Sequence, residues 1–226
     1  MRKTLVLLSL GLAVTLGGCG ELGYIFGQLF PPDVVDEINA EFDGLPGNTV
    51  AVVVHVPDEV HYTHPTAPLE ISAIVSERLK LIGADDKKAE AINTVSPYKI
   101  NQLQTENLYW EALPKTELGE QLHADYVLYI SVMEFTTREP GSQNLYRGQI
   151  TAECALYDVK QKEATAEVWK SSRMSSRFPQ DGPYLYSEDD EEIRLDTIVI
   201  LAEKLAKKFY DHDVKVDGRP KPEEEA

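Results

Sequence analysis

Cysteine is scarce in this sequence of 226 residues, which contains only Cys19 and Cys154. Small secreted folds that depend on disulfides need several cysteine pairs, so this class of protein is excluded. Cys154 lies in a segment of alternating apolar residues, in phase with Ile150, Ala152 and Leu156. We therefore expect Cys154 to be a small buried side chain in a β-sheet and not a reactive thiol, which would need a base and an electropositive environment.

Positive charge is in the minority, because 22 Lys and Arg residues stand against 38 Asp and Glu residues, for a net charge of −16. Nucleic acids and anionic lipid surfaces repel a protein of this charge, so neither is expected as a binding surface for the domain. The same negative charge is expected to keep a membrane-tethered domain soluble.

Motifs that carry catalysis are missing as well. The sequence has no Gly-x-Ser-x-Gly elbow, no phosphate-binding loop, no dinucleotide fingerprint and no HExxH pattern. We therefore predict that the protein is not an enzyme and that it binds no cofactor.

The first residues contain an export signal. Met1–Lys3 is cationic, Leu5–Leu16 is apolar and uncharged, and Gly17 and Gly18 are small residues directly before Cys19. This order is typical of a signal peptide, and the apolar run is shorter than the ~20 residues that span a membrane. Leu16-Gly17-Gly18-Cys19 resembles the lipobox of bacterial lipoproteins.

This resemblance implies cleavage between Gly18 and Cys19, and lipidation of the Cys19 thiol by diacylglycerol followed by further acylation such as palmitate. Two or more acyl chains anchor a protein stably, so the lipid bilayer is a predicted partner. By resemblance to enteric lipoproteins, Gly20 favours the outer membrane, with the domain facing the periplasm.

Composition divides the chain into four parts. We predict a lipoprotein signal peptide over residues 1–18, a lipidated tether with a short helix over 19–47, a single α/β domain over 48–211, and a disordered charged tail over 212–226. The short helix is expected to start at Asp33.

Hydrophobic periodicity predicts the elements of the domain. The continuous apolar run over 49–56 indicates a strand covered on both faces, and helical spacing indicates helices over 69–82 and from Ser187 to Phe209. Three alternating segments between Tyr126 and Met174 indicate antiparallel hairpins. The predicted fold class is therefore α/β (α+β): a mixed β-sheet with antiparallel hairpins, packed by helices.

Residues 118–130 (LGEQLHADYVLYI) resemble a segment that recurs in periplasmic lipoproteins with a fold like the amino-terminal domain of TolB. The segment 155–159 (ALYDV) and the pair Val168-Trp169 fit the same pattern. The curli secretion-channel lipoprotein and the lipoprotein activators of penicillin-binding proteins share this fold. Residues 98–101, 145–148 and 177–179 resemble a group of planctomycete envelope lipoproteins.

The resemblance covers residues 48–210 and implies a fold and not an activity. Within it, we expect Asp125 and Asp158 to accept hydrogen bonds at turns and Trp169 to pack against a helix. The link 137–146 is too short for added membrane hairpins, so pore formation is not predicted.

The densest group of metal-ligand residue types is His55, Asp58, His61 and His64, with Glu59 beside Asp58. Such groups bind zinc when the backbone fixes their geometry. Pro57 and the following polar residues indicate a solvated loop, so these four are candidates only.

Three functions stay open at this point. The first is a non-catalytic envelope lipoprotein that acts in assembly, tethering or regulation of envelope machinery through an unknown protein partner. The second is a metal-binding or hydrolytic periplasmic protein that uses the His55–His64 segment. The third is a structural spacer that self-associates as a homo-oligomer.

Overall fold

The computed structural model of the protein describes residues 34–85, 91–139, 141–142, 144–180 and 190–216. Its strands are β1 (Val34–Ile38), β2 (Thr49–His55), β3 (Asn93–Thr94), β4 (Tyr126–Arg138), β5 (Tyr146–Asp158), β6 (Glu167–Phe178) and β7 (His212–Val216). Its α-helices are α1 (Asp58–Thr63), α2 (Ala67–Asp85), α3 (Pro97–Glu106), α4 (Lys115–Leu122) and α5 (Asp190–Ala206). Short 3₁₀ turns lie at Trp110–Ala112, Glu163–Thr165 and Lys207–Phe209.

A five-stranded mixed sheet forms the centre of the larger unit, residues 39–212. Its strand order is β3-β2-β4-β5-β6, with β2 parallel to β3 and β4, and with β4, β5 and β6 antiparallel. The predicted fold class, a mixed sheet with antiparallel hairpins packed by helices, is confirmed. Strands β1 and β7 pair with each other in a separate two-stranded sheet, which contains the described residues of the smaller unit.

Different helices cover the two faces of the five-stranded sheet. Alternate residues of β2 point to opposite faces, and the whole run from Val50 to Val54 is at most 2% exposed, as a strand covered on both faces requires. Helices α2 and α5 cover one face, where their buried residues include Ile71, Val75, Leu79, Ile198, Leu201 and Leu205. Helices α3 and α4 cover the other face through Ile100 and Leu122.

A partly buried ion pair joins the two helices on the first face. The Arg194 guanidinium donates to both carboxylate oxygens of Glu70, at 2.8 and 3.0 Å. This forked geometry uses two of the five arginine donors and fixes α5 against α2.

One carboxylate connects the starts of the two central strands. Asp125 Oδ2 accepts a hydrogen bond from the Thr49 amide at 3.0 Å, and Asp125 Oδ1 accepts one from Lys160 Nζ at 2.8 Å. Asp158 accepts from the Lys160 amide at 2.9 Å in the β5–β6 turn. The prediction that Asp125 and Asp158 accept hydrogen bonds at turns is therefore confirmed.

Trp169 and Cys154 are buried as expected. Trp169 is 8% exposed, and its ring meets Phe209 edge-to-face at 4.9 Å, so it packs on the segment that follows α5. Cys154 is 1% exposed, and burial raises the pKa of its thiol to about 12. The thiol therefore stays protonated and packs as an apolar group.

The larger unit covers residues 39–212, whereas the sequence predicts a domain over 48–211. Residues 39–47 belong to the larger unit and not to a tether, because Leu45 is fully buried in its core and the Glu41 amide donates to the Lys208 carbonyl at 2.8 Å. The expected disordered tail starts too early, since His212–Val216 is a strand. The expected helix after Asp33 is also wrong, because Val34–Ile38 is strand β1. Strands β1 and β7 pair with each other although they lie near opposite ends of the sequence, and local sequence patterns do not reveal such a pairing.

Two further segments are helices that the sequence does not predict. Asp58–Thr63 is a helix instead of a loop, with Asp58 and Glu59 in its first turn, where acidic groups match the helix dipole. Pro97–Glu106, to which no sequence pattern assigned an element, is a helix in which Pro97 occupies the first turn, where a missing amide hydrogen costs nothing.

Candidate functional site

The four candidate metal ligands point to different neighbours. His55 ends β2, and its Nε2 lies 3.5 Å from Glu111 Oε2. Asp58 and His61 are exposed on α1. His64 follows α1, and its ring lies 5.1 Å from that of Phe135. Among the described residues, no three His, Cys, Asp or Glu side chains are placed to hold one metal ion.

His64 borders a groove of about 490 Å³ between α1, β4 and the start of α5. Burial lowers the pKa of His64, although the nearby Asp190 carboxylate opposes this effect. Its imidazole is therefore neutral over more of the physiological range than a solvated histidine. A neutral ring that lies tilted against Phe135 is a packing group.

Asp190 closes one end of this groove. Its Oδ1 accepts a hydrogen bond from Thr137 Oγ1 at 2.7 Å and lies 3.6 Å from Arg138 Nε. The sequence indicates only that Asp190 favours a helix start, because the end of β4 that it contacts is more than fifty positions earlier. The residues 187–189 of the same acidic run lie outside the described residues.

The segment between α3 and α4, which we call the α3–α4 loop (Asn107–Pro114), presents two large side chains to solvent. Leu108 is 86% exposed and the adjacent Tyr109 is 79% exposed. Tyr98, at the start of α3, is 74% exposed. Neighbouring apolar and aromatic side chains left in water are typical of surfaces that bind another molecule, whereas single exposed apolar residues are common everywhere.

The backbone of the α3–α4 loop is held in place from within. The Tyr109 amide donates to Asn107 Oδ1 at 3.0 Å, and the Trp110 amide donates to the Asn107 carbonyl at 3.0 Å. The Ala112 amide donates to the Tyr109 carbonyl at 3.0 Å, which forms the 3₁₀ turn. Leu108 and Tyr109 are therefore presented on a defined turn.

Contacts with the domain fix both sides of this loop. The half-buried Trp110 ring lies 6.2 Å from the His55 ring, next to the contact between His55 and Glu111. Gln104 Nε2 donates to the Val54 carbonyl at 3.0 Å and attaches the end of α3 to the central strand. A fixed base of this kind lowers the entropy cost of binding through the exposed pair.

The start of α4 is attached to the β5–β6 connection. Glu163 accepts hydrogen bonds from the Lys115 and Thr116 amides at 3.1 and 3.2 Å, so its carboxylate occupies the amino end of the helix. Lys115 Nζ lies 4.2 Å from the centre of the Tyr129 ring, a cation–π contact, and burial lowers the pKa of Lys115. These contacts make α4 a rigid end for the α3–α4 loop.

The α3–α4 loop was not predicted as a binding surface from the sequence. A signal was present, because Leu108, Tyr109 and Trp110 are consecutive and no helical or strand periodicity assigns them to a core. The predicted lipidation and cleavage sites, Cys19 and Gly18, lie outside the described residues, as do residues 20–33 of the expected tether.

None of the helices in the described ranges is long and apolar enough to cross a lipid bilayer.

No protein-family model matches the sequence. No curated protein sequence matches it either.

Solved structures with a similar arrangement include bacterial lipoproteins and a dodecameric protein. The PelC dodecamer from Paraburkholderia phytofirmans is 13% identical, with a TM-score of 0.43 over 78% of this chain and 98% of that chain. The lipoprotein GNA1162 from Neisseria meningitidis is 14% identical, with a TM-score of 0.41 over 70% of this chain and 98% of that chain. The hypothetical protein CT253 from Chlamydia trachomatis is 16% identical, with a TM-score of 0.39 over 71% of this chain and 91% of that chain. Similarities of this size establish no activity, partner or assembly for this chain, and the likeness to the TolB domain stays a prediction.

Proposed function

We propose that this chain is a non-catalytic lipoprotein of the bacterial cell envelope. Acylated Cys19 anchors it, and its domain faces the periplasm from the outer membrane. The domain binds a protein partner in the assembly, tethering or regulation of envelope machinery. The lipobox-like Leu16–Cys19 segment supports the anchor.

The observation that carries the partner-binding role is the exposure of Leu108 and Tyr109 on a fixed turn. Burying both side chains at an interface removes a large apolar area from water, and each contributes roughly 1.5–3 kcal/mol if burial is complete. Tyrosine is enriched among the residues that dominate protein–protein binding energies. We therefore assign the α3–α4 loop to the centre of the binding surface.

The states of the titratable groups support a non-catalytic role. Burial raises the pKa of the Cys154 thiol to about 12, which removes the thiolate that nucleophilic chemistry needs. His55 lies beside Glu111, and His64 packs against Phe135 with a lowered pKa. Neither histidine hydrogen-bonds to a hydroxyl or thiol that it could activate in the described part of the chain.

The metal-binding alternative depends on His55, Asp58, His61 and His64 acting together. Their different neighbours disfavour this arrangement, because a zinc site needs three or four ligands around one point. Metal analysis of untagged protein tests this alternative, and stoichiometric zinc lost in the double variant H61A/H64A would support it over partner binding.

The anchor is tested by the mass of the mature chain. Full-length protein purified from membranes should begin at Cys19 and carry the mass of a diacylglycerol and a further acyl chain. The variant C19A cannot be lipidated and should lose its lipid-dependent association with the membrane fraction. A mature chain that begins elsewhere, or an unmodified Cys19, would contradict the anchor.

The partner is tested with matched surface variants. Crosslinking in cells followed by mass spectrometry should capture one defined envelope protein with the wild-type chain. The double variant L108S/Y109S should lose that capture, whereas Y62S should keep it, because Tyr62 is 89% exposed on α1 and lies outside the α3–α4 loop. Equal capture by all three proteins would contradict the assignment of the surface.

A further inference from the structure

A cationic surface lies beside the outer strand of the sheet, on a chain whose net charge is −16. A cavity of about 470 Å³ is lined there by Gln149, Ser175, Ser176, Arg177, Gln180 and Lys204. These described lining residues include two cations and no carboxylate. We call this cavity the β6 cavity.

The two cations are held in place by backbone carbonyls. Lys204 Nζ donates to the Ser175 carbonyl at 2.8 Å, which brings its ammonium from α5 to strand β6. Arg177 Nη2 donates to the Gln180 carbonyl at 3.4 Å. Within the described ranges, neither cation forms an ion pair with a carboxylate. Their remaining donors are therefore available to an anion.

One hydroxyl of the lining residues does not face the cavity. Ser176 is 2% exposed, its Oγ is inaccessible, and alternation along β6 places it on the opposite face from Ser175 and Arg177. The donors that a ligand in the β6 cavity would meet are therefore those of the two cations, Ser175 and the two glutamines.

The cationic surface continues past this cavity. A second cavity of about 500 Å³ shares Gln149 and Ser175 with the first and adds Thr151 and Arg173 to the lining. Arg173 forms no ion pair within the described residues, and Glu134 is the one carboxylate among those that line the second cavity. Three cations thus lie along one end of β6 and the neighbouring helix.

From this geometry we propose that the β6 cavity binds a phosphate group. Arginine, lysine, hydroxyl and amide groups from two elements supply more donors than the two oxygens of a carboxylate accept. A phosphate presents three or four oxygens and matches the arginine fork. The same chemistry is available from a soluble phosphate and from a phospholipid headgroup. The proposal does not rest on the proposed protein partner, because none of these residues belongs to the α3–α4 loop.

The test uses full-length protein in an uncharged detergent at low ionic strength. Inorganic phosphate is titrated while the backbone amide resonances of Ser175, Ser176 and Arg177 are followed by nuclear magnetic resonance. We expect saturable shifts confined to the β6 cavity. The double variant R177Q/K204Q should bind phosphate about tenfold more weakly or lose binding, because charge-assisted hydrogen bonds supply most of the attraction.

A matched control removes two other cations. The control variant K170Q/K207Q changes Lys170 in β6 and Lys207 in the turn after α5. Lys170 Nζ lies 3.9 Å from Glu167 Oε2 and does not line the β6 cavity. The phosphate affinity of this variant should stay within about twofold of the wild type, because it retains both cavity cations. Absence of saturable shifts, or equal weakening in both double variants, would overturn the proposal.

The two sources of phosphate are distinguished by a second titration. Glycerophosphoglycerol is the water-soluble headgroup of phosphatidylglycerol and carries a phosphodiester. Tighter binding of glycerophosphoglycerol than of inorganic phosphate would assign the cavity to a lipid headgroup. Tighter binding of inorganic phosphate would assign it to a soluble phosphate. Either result supports a phosphate site. If the wild-type protein binds neither inorganic phosphate nor glycerophosphoglycerol, the proposal is rejected.

Discussion

Trp169 donates its indole Nε1–H to Glu41 Oε2 across 2.8 Å, although 128 positions separate the two residues. The other carboxylate oxygen of Glu41 lies 2.6 Å from Lys208 Nζ. One side chain thus connects the segment before β2 with the outer strand β6 and with the end of the α5 region. This contact explains why residues 39–47 belong to the folded domain.

The substitution Trp169→Phe tests the indole hydrogen bond while it keeps an aromatic ring against Phe209. We expect the free energy of unfolding to fall by about 1–3 kcal/mol, because the variant loses a hydrogen bond to a charged group and some packing area. Urea denaturation followed by circular dichroism measures this change. An unchanged midpoint would mean that the Glu41 contact does not hold the segment.

The free energy of unfolding should fall in acid because two carboxylates, those of Glu41 and Asp125, become protonated. Hydrogen bonds from Lys208 and Trp169 lower the pKa of Glu41 below its ordinary value of 4.5, and hydrogen bonds from Lys160 and the Thr49 amide lower the pKa of Asp125 below 3.8. Each carboxylate therefore adds stability that is fully present above its unfolded pKa and is lost as the pH falls through its folded pKa.

The variant Asp125→Asn isolates one part of this acid dependence. Urea denaturation from about pH 6 to pH 3 should show a flatter loss of stability in the variant than in the wild type, because its side chain no longer titrates. Equal slopes over this range would show that Asp125 does not contribute.

Arg194 and Glu70 should depend on each other for their stabilising effect. Their side chains are only 15% and 22% exposed, so removal of either leaves a charge with little access to water. We expect Arg194→Ala and Glu70→Ala each to destabilise the protein, with a coupling free energy of about 1–3 kcal/mol in the double-mutant cycle. Additive single effects would contradict this contact.

Gly148 of β5 lies directly against Thr197 of α5. A Cβ atom built at this position would collide with Thr197 Oγ1, which is buried and donates to the Ile193 carbonyl. Gly148→Ala should therefore destabilise the domain by about 1–3 kcal/mol, measured by urea denaturation. Adding Thr197→Ala should restore part of the loss, since it removes the colliding oxygen, and a double variant less stable than Gly148→Ala would contradict this explanation.

Elements whose structure depends on local patterns were predictable from the sequence. The continuous valine run gave β2, helical spacing gave α2 and α5, and alternation gave the three antiparallel strands, because burial on one or both faces imposes these periods directly. Cys154 and Trp169 were placed correctly for the same reason.

Elements that depend on distant partners were not predictable. Strands β1 and β7 stabilise each other from opposite ends of the chain, and Glu41 finds its partners only in the folded state. The group His55–His64 was considered as a metal site only because its residues are close in sequence. Helix α1 places these side chains next to different neighbours. The α3–α4 loop was overlooked because exposure of an apolar side chain is a property of the fold and not of the residue type.

The most direct test of the proposed function is site-specific photo-crosslinking in living cells. The photoreactive residue p-benzoylphenylalanine would replace Tyr109 in one strain and Tyr62 in a second, since both tyrosines are highly exposed. We expect position 109 to crosslink to one defined envelope protein and position 62 not to crosslink to it. No crosslink from position 109, or the same products from both positions, would contradict a protein-binding role for the α3–α4 loop.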